Sequence, residues 1–325
     1  RKYAGLNREV RAREAENKSL DGELTKVRRE YQSNRSNFTI ISDAKIPLFR
    51  LKSNRKIIVI VVVFLMNMIG FTLILGLELM DTTVKSAAEL TQKFSLPVLG
   101  IIPNIKDALG LFPEKAHFPL IEPFRIIARR VRHLVPEKGA RLMIVSVNPG
   151  EGKTMVTANL GAVLGRQDER VLLLDAQARA QESERSLRYL IAEEEKPIVG
   201  LGEYLSYQAE SPNDIVWPTT LPGVECIPHV EEAVIPDVLA SNRMKEMLKA
   251  LSEDFSIIVI DSPAADQYVD AELVASMSDA ILVVVQSRVC SSSGLKRVIE
   301  SLKETDVPII GFILNDVDRF YINRL

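Results

Sequence analysis

The sequence has little cysteine and no surplus of charge of either sign. Cys226 and Cys290 stand far apart and at no metal-ligand spacing, which sets aside a disulfide framework and a zinc site and leaves both as ordinary core or near-surface thiols. A formal net charge of −2 over 325 residues gives no global electrostatic case for nucleic acid, which is not expected as a partner. There is no internal repeat, no low-complexity tract and no signal peptide. The chain opens on Arg1 rather than Met, so a fragment of a longer protein is expected, with an upstream region unseen.

What is present divides at one long apolar run. From Ile57 to Leu77, "IIVIVVVFLMNMIGFTLILGL", twenty-one residues carry no charge. At about 1.5 Å per residue they cross the roughly 30 Å of a hydrocarbon core, so a transmembrane helix is predicted over 57–79. Upstream, Leu6, Val10, Leu20, Leu24, Val27 and Tyr31 fall on a 4-3 spacing, with Arg13 and Asn17 at the two remaining seam positions. Residues 1–37 are therefore expected to be the coiled-coil end of an extracytoplasmic domain, or else a solvated amphipathic helix. Pro47 interrupts the helix, and the juxtamembrane segment 38–56 carries Arg50, Lys52, Arg55 and Lys56.

Beyond the membrane run the pattern alternates. Apolar strand-like runs such as "RLMIVSV", "RVLLLDA", "FSIIVIDS", "AILVVVQ" and "PIIGFILND" are separated by amphipathic helical patterns such as "TMVTANLGAVL" and "SSSGLKRVIESLKE". This predicts the α/β class, with a doubly wound parallel sheet covered on both faces over 119–325, and a linker over 80–118. The loop "VNPGEGKT" lies between a strand and a helix and reads as a P-loop, although Val147 stands where the general pattern has its first glycine. Gly150 and Gly152 allow close backbone approach, the helix N-terminus faces a polyphosphate, Lys153 reaches it and Thr154 ligates Mg²⁺. ATP is expected on Pro149, Gly150, Glu151, Gly152, Lys153, Thr154 and Met155.

Asp175 and Asp261 end two further strands, where the ligand crevice of an open parallel sheet lies, though aspartate also caps helices at such places. Asn315, at another strand end, is either a contact to the nucleotide base or a turn residue. Glu122, Arg125 and Arg129 share one face of a predicted helix, suited to pairing across a subunit boundary or to a solvated or membrane-surface face.

These motifs resemble those of the bacterial tyrosine kinases of the polysaccharide co-polymerase type. The likeness rests on the coiled-coil end, the apolar helix, "ELMDTTVKSAAELTQKFSLPVLGIIP", "EPFRIIARR", "NPGEGKT", "LLLDAQAR", "GLGEYL", "IPDVLASNRM" and "IIVIDSPA". Asn148 stands where cell-division and plasmid-partitioning ATPases carry an extra lysine, which sets those relatives aside. The resemblance implies ATP and Mg²⁺ as cofactors and a homo-oligomeric ring whose subunits phosphorylate one another on C-terminal tyrosines. It also implies partnership with polysaccharide export and polymerisation machinery, and a seat in the bacterial inner membrane. Carried over, Lys153, Asp175 and Asp261 form the catalytic set: Lys153 and Thr154 hold phosphate and metal, Asp261 the metal and its water, and Asp175 the tyrosine hydroxyl.

Three departures qualify the expectation. Asp175, Gln177 and Arg179 replace Asp-x-Asp-x-Arg, Asp261-Ser262-Pro263-Ala264 replaces Asp-x-Pro-Pro, and only Tyr321 lies near the end as a candidate phospho-acceptor. Nucleotide binding is expected to survive these changes better than kinase activity, so an ATP-binding structural regulator of chain length stands as the alternative. The basic cluster before the apolar run would place residues 1–56 inside by charge count, whereas the need of a P-loop for cytosolic ATP places the nucleotide domain in the cytoplasm and residues 1–56 outside.

Overall fold

The structure is a computed structural model that describes residues 2–33, 54–104, 118–136, 138–177, 186–192, 199–230, 236–265 and 270–318. They fall into two units, Arg1–Thr72 and Leu73–Leu325. In the first, α1 (Lys2–Ser33) leaves Leu6, Val10, Leu20, Leu24, Val27 and Tyr31 exposed. A 4-3 seam of this kind is stabilised by packing on another helix.

α2 (Arg55–Met80) contains the apolar run. Among the described residues it is the one helix long and apolar enough to cross a membrane, with a mean hydropathy of 2.9. Its polar side chains turn back on the helix: Asn67 Nδ2 donates to the Val63 carbonyl and the Thr72 hydroxyl to the Met68 carbonyl, both at 2.8 Å. Each meets a donor that hydrocarbon would leave unsatisfied.

The second unit is built on one sheet. Strands β1 (Val98–Pro103), β2 (Ala140–Ser146), β3 (Val171–Asp175), β4 (Trp217–Pro218), β5 (Val224–Ile227), β6 (Ile257–Asp261), β7 (Ala280–Gln286) and β8 (Ile309–Val317) run in the order β1-β8-β7-β2-β6-β3-β5-β4. All pairings are parallel except β4 with β5. Successive side chains alternate between two cores. Met143 and Val145 of β2 and Ile258 and Ile260 of β6 face one, while Leu142, Ile144, Ile257 and Val259 face the other. That is why these strands read as unbroken apolar runs.

Helices α3 (Ala87–Phe94), α6 (Leu201–Leu205), α7 (Pro236–Leu239), α8 (Asn242–Asp254), α9 (Asp270–Ala275) and α10 (Ser292–Lys303) close the first core, and α4 (Phe118–Arg132) and α5 (Lys153–Gly165) the second. Their starts are written locally. The Ser241 hydroxyl accepts the Met244 N–H at 3.2 Å, and the Ser291 hydroxyl accepts that of Gly294 at 3.1 Å. α8 then buries Met244, Met247, Leu248 and Leu251, and α10 buries Leu295, Val298, Ile299 and Leu302. Each such side chain contributes about 1.5–3 kcal/mol.

Of the segment 80–118, expected as a linker, residues 80–104 instead contribute to this unit, and 105–117 lie outside the described residues. Val84 and Leu90 are fully buried, and β1 forms the sheet edge beside β8. The reason is long-range: the strand at the start of the unit pairs with the last strand, a partnership that no local pattern announces. Ahead of it, residues 82–84 lie against 288–292. Val84 N–H donates to the Cys290 carbonyl at 2.9 Å, Arg288 N–H to the Val84 carbonyl at 2.8 Å and Ser292 N–H to the Thr82 carbonyl at 2.9 Å.

β8 accommodates both neighbours through a register slip against β7 between Ile281 and Leu282. Gly311 sits there at φ +152°, and a Cβ on it would lie 2.4 Å from the Pro97 carbonyl oxygen. Gly311→Ala is expected to lower stability by roughly 1–3 kcal/mol. Denaturant unfolding followed by circular dichroism checks this, and an unshifted midpoint would reject the steric requirement.

Candidate functional site

Three adjacent strands in parallel register set the site. The carboxyl ends of β2, β6 and β3 deliver Ser146, Asp261 and Asp175 to one edge, and Asp175 and Asp261 are direct neighbours across the ladder. From β2 the chain turns through 147–152 into α5. Gly152 adopts φ +97°, and a Cβ there would lie 2.2 Å from Asn315 Nδ2, so the loop rests on β8 only because this residue is glycine.

Asn315 Nδ2 donates to the Glu151 carbonyl at 2.8 Å. Asn315, expected at the nucleotide base or in a turn, thus holds the loop backbone. Glu151 also takes a part other than direct side-chain contact with a nucleotide. Its buried carboxylate faces inward, accepting from Val147 N–H at 3.2 Å and from the Asn148 side chain at 2.7 Å. Burial pushes that carboxyl above its ordinary value, and bonds from Asn148 and Cys290 partly offset the push. Glu151 is fully buried, while Pro149 and Gly150 form the exposed lip of the loop. Met155, on the first turn of α5, is half-buried against the second core.

Lys153 is only 6% exposed, and its ammonium donates to Ser146 Oγ at 3.1 Å. Burial lowers its pKa, opposed by the nearby Asp261 and Glu151 carboxylates. A buried ammonium held by a neutral hydroxyl is well placed to receive an anion. Beside it the Thr154 hydroxyl donates to Asp261 Oδ2 at 2.6 Å. Gln177 Nε2 donates to the same Oδ2 at 2.7 Å and to Thr154 Oγ1 at 3.0 Å.

Burial raises the pKa of both aspartates. For Asp261, pushed up to about 7, the Asp175 charge adds to burial, and Lys153, Thr154 and Gln177 oppose it. Asp175, raised to about 6 by burial, accepts the Gln177 backbone N–H at 3.2 Å and the Ser186 hydroxyl at 3.3 Å. Two like charges at adjacent strand ends call for a cation.

The donor set fits Mg²⁺. Asp261 Oδ1 is buried and finds no hydrogen-bond partner among the described residues, a costly state for a carboxylate oxygen. Thr154 Oγ1 and the Asp261 carboxylate are the hard oxygens that Mg²⁺ prefers. No group of three or more His, Cys, Asp or Glu side chains that could cage a metal forms among the described residues.

Sequence reasoning missed Ser146, Ser186, Ser262 and Cys290. Ser146 carried a signal, being the last strand residue before the loop. Ser262 Oγ donates to the Ile144 carbonyl at 2.9 Å and Ala265 N–H to that of Ser146 at 2.9 Å, so the altered segment after Asp261 still packs behind the loop. Glu122, Arg125 and Arg129 are not part of this site. They lie on the exposed face of α4, opposite buried Phe124, Ile127, Ala128 and Val131, and Arg125 pairs with Glu122 at 3.6 Å. Arg50, Lys52, Arg179 and Tyr321 lie outside the described residues.

Residues 141–308 match the family described as an AAA domain. Over 334 residues the chain is 24% identical to the tyrosine-protein kinase ptk of Acinetobacter johnsonii, covering 98% of this chain and 45% of that protein. It is 29% identical over 178 residues to the tyrosine-protein kinase CpsD of Streptococcus agalactiae, covering 54% of this chain and 75% of the other. The chain thus spans less than half the length of ptk. The kinase domain of the Escherichia coli tyrosine kinase ETK matches with a TM-score of 0.61 at 24% identity, over 72% of this chain and 95% of that domain, a likeness of fold.

Two substitutions should weaken anion binding for different reasons. Lys153→Ala removes the buried ammonium, and Gly152→Ala drives a methyl into Asn315 and displaces the loop. Each is expected to weaken ADP binding by about tenfold or more in calorimetry. Wild-type affinity in either variant would reject the role given to that residue.

Proposed function

The chain belongs to the AAA-domain family, and from that premise we propose that it is a membrane-anchored, ATP-dependent protein-tyrosine kinase acting on copies of itself and governing capsular or extracellular polysaccharide length and export. The contacts at three strand ends carry this reading: Thr154 on Asp261, Asp261 beside Asp175, and Lys153 buried near Asp261. Two relatives named as tyrosine-protein kinases support it.

The backbone N–H groups of Gly150, Glu151, Gly152, Lys153 and Thr154, at the N-terminus of α5, would receive the polyphosphate, and Lys153 would supply it with a positive charge. Thr154 and Asp261 would hold Mg²⁺, which would supply charge neutralisation at the phosphates. Asp175 accepts the proton of an incoming tyrosine hydroxyl. The phenolic oxygen bonds the γ-phosphorus as its bond to the β–γ bridging oxygen breaks, leaving phosphotyrosine and ADP. Burial, which raises Asp175, makes it a stronger base than a free aspartate.

In this reading α2 crosses the bacterial inner membrane, the nucleotide unit lies in the cytoplasm with its ATP, and residues 1–56 lie outside. The exposed Glu122, Arg125 and Arg129 face of α4 joins neighbouring subunits of a ring, and the polysaccharide export and polymerisation machinery is the partner. One observation favours a second reading, an ATP-binding regulator with little phosphotransfer: Gln177 puts an amide on the two metal-binding side chains.

Incubation with Mg-ATP and a tyrosine-rich peptide is expected to yield phosphotyrosine by mass spectrometry. Asp175→Asn should slow transfer by about 10²–10⁴-fold while leaving ADP affinity intact. Absence of transfer by the wild type, with ADP bound, would turn the assignment to the regulator. Arg125→Glu should shift the detergent-solubilised protein to smaller assemblies in sedimentation, and an unchanged distribution would reject the ring face.

A further inference from the structure

Gln177 stands where the resembled family carries a carboxylate, and its amide nitrogen lies 3.0 Å from Thr154 Oγ1 and 2.7 Å from Asp261 Oδ2. Those are the two side chains that fit Mg²⁺. The Thr154 hydroxyl gives its proton to Asp261 Oδ2 at 2.6 Å, so only its oxygen lone pairs are left for a cation. The Gln177 amide already uses one of them. Oδ2 in turn accepts two hydrogen bonds, while Oδ1 accepts none among the described residues. A lone pair that binds N–H cannot at the same time bind a metal ion.

We propose that Gln177 is a latch on the metal site, its side-chain amide taking the place of a divalent cation on Thr154 and Asp261 until it lets go. This rests on the nucleotide-site reading above and adds to it how metal entry is controlled. The amide supplies partial positive charge to Oδ2 but leaves Oδ1 without a hydrogen-bond partner among the described residues, so it stabilises the carboxylate incompletely and an ion with its phosphates can displace it. Release needs only side-chain rotation. The backbone stays tied at both strand ends, with Ala176 N–H on the Asp261 carbonyl at 3.0 Å and Gln177 N–H on Asp175 Oδ1 at 3.2 Å. The half-buried side chain of Gln177 has solvent to turn towards. A carboxylate at this position would act oppositely, adding negative charge that attracts the ion. The amide therefore turns a ligand position into a competitor and raises the metal concentration needed to load the site.

The test uses the full chain in detergent, with Mn²⁺ as the probe and free Mn²⁺ read by electron paramagnetic resonance in the presence of ADP. ADP binding in EDTA, by calorimetry, is measured separately. Gln177→Ala removes the latch, and Gln177→Met keeps its length without the donor, so a packing fault in one is controlled by the other. Loss of one charge-assisted and one neutral hydrogen bond from the competing state should tighten Mn²⁺ binding by about tenfold in both variants, with metal-free ADP affinity unchanged. Unchanged or weaker Mn²⁺ binding in the variants, with ADP affinity intact, would overturn the latch alone. Failure of the wild type to bind ADP in EDTA would overturn the nucleotide reading and the latch with it.

Discussion

Two carboxylates forced to lie side by side organise this structure. β3 and β6 are adjacent and parallel, and their register sets Asp175 directly against Asp261 in a place where burial raises both pKa values. Like charges without compensation in such a place cost several kcal/mol. The surroundings answer that repulsion from one side after another: the Lys153 ammonium, the Thr154 hydroxyl, the Gln177 amide and the Ser186 hydroxyl each bring positive charge or a donor to one of the pair. The unpartnered Oδ1 of Asp261 is the remainder, and it points to a cation. Sheet order is what makes this possible, because β6 enters between β2 and β3 and so places its aspartate beside both the loop and the second carboxylate.

The loop is held from behind rather than by its ligand. Glu151 ties its own turn through Val147 and Asn148, and Asn315 of β8 takes the Glu151 carbonyl. These bonds use side chains that a motif reading assigns to the nucleotide. Their effect is to fix the backbone whose N–H groups receive phosphate, so that little ordering remains to be done on binding.

The legible parts of this chain were those with local physical causes. Strands buried on both faces must be apolar at every position, so "IIVID" and "AILVVVQ" announced themselves, and the amphipathic pattern "SSSGLKRVIESLKE" marked α10. The loop showed through its glycines and lysine. What stayed hidden depends on pairs far apart in sequence. Asn315 meets Glu151 across 164 positions, Gln177 meets Asp261 across 84, and β1 needs β8 before it can be more than an apolar stretch in a linker. Gln177 was visible as a departure, but the direction of its amide was not, because side-chain placement there answers the charge on a neighbouring strand.

That same long-range wiring reaches from the loop to the exit of the apolar helix. Lys85 bridges Glu78, near the end of α2, and Asp81 at 2.6 and 3.0 Å, and one residue earlier Val84 bonds to the 288–292 segment on both its N–H and its carbonyl. Cys290 in that segment is buried, and its thiol is among the groups that hold down the pKa of the Glu151 carboxylate that shapes the loop. Solvent-exposed ion pairs contribute little stability of their own, whereas buried backbone bonds such as those of Val84 are costly to leave unmade. The strap is therefore held by its backbone ladder, with Lys85 orienting the turn that leads into it. The backbone of residues 82–84 is thus bonded to the segment whose buried Cys290 acts on the carboxylate behind the phosphate loop.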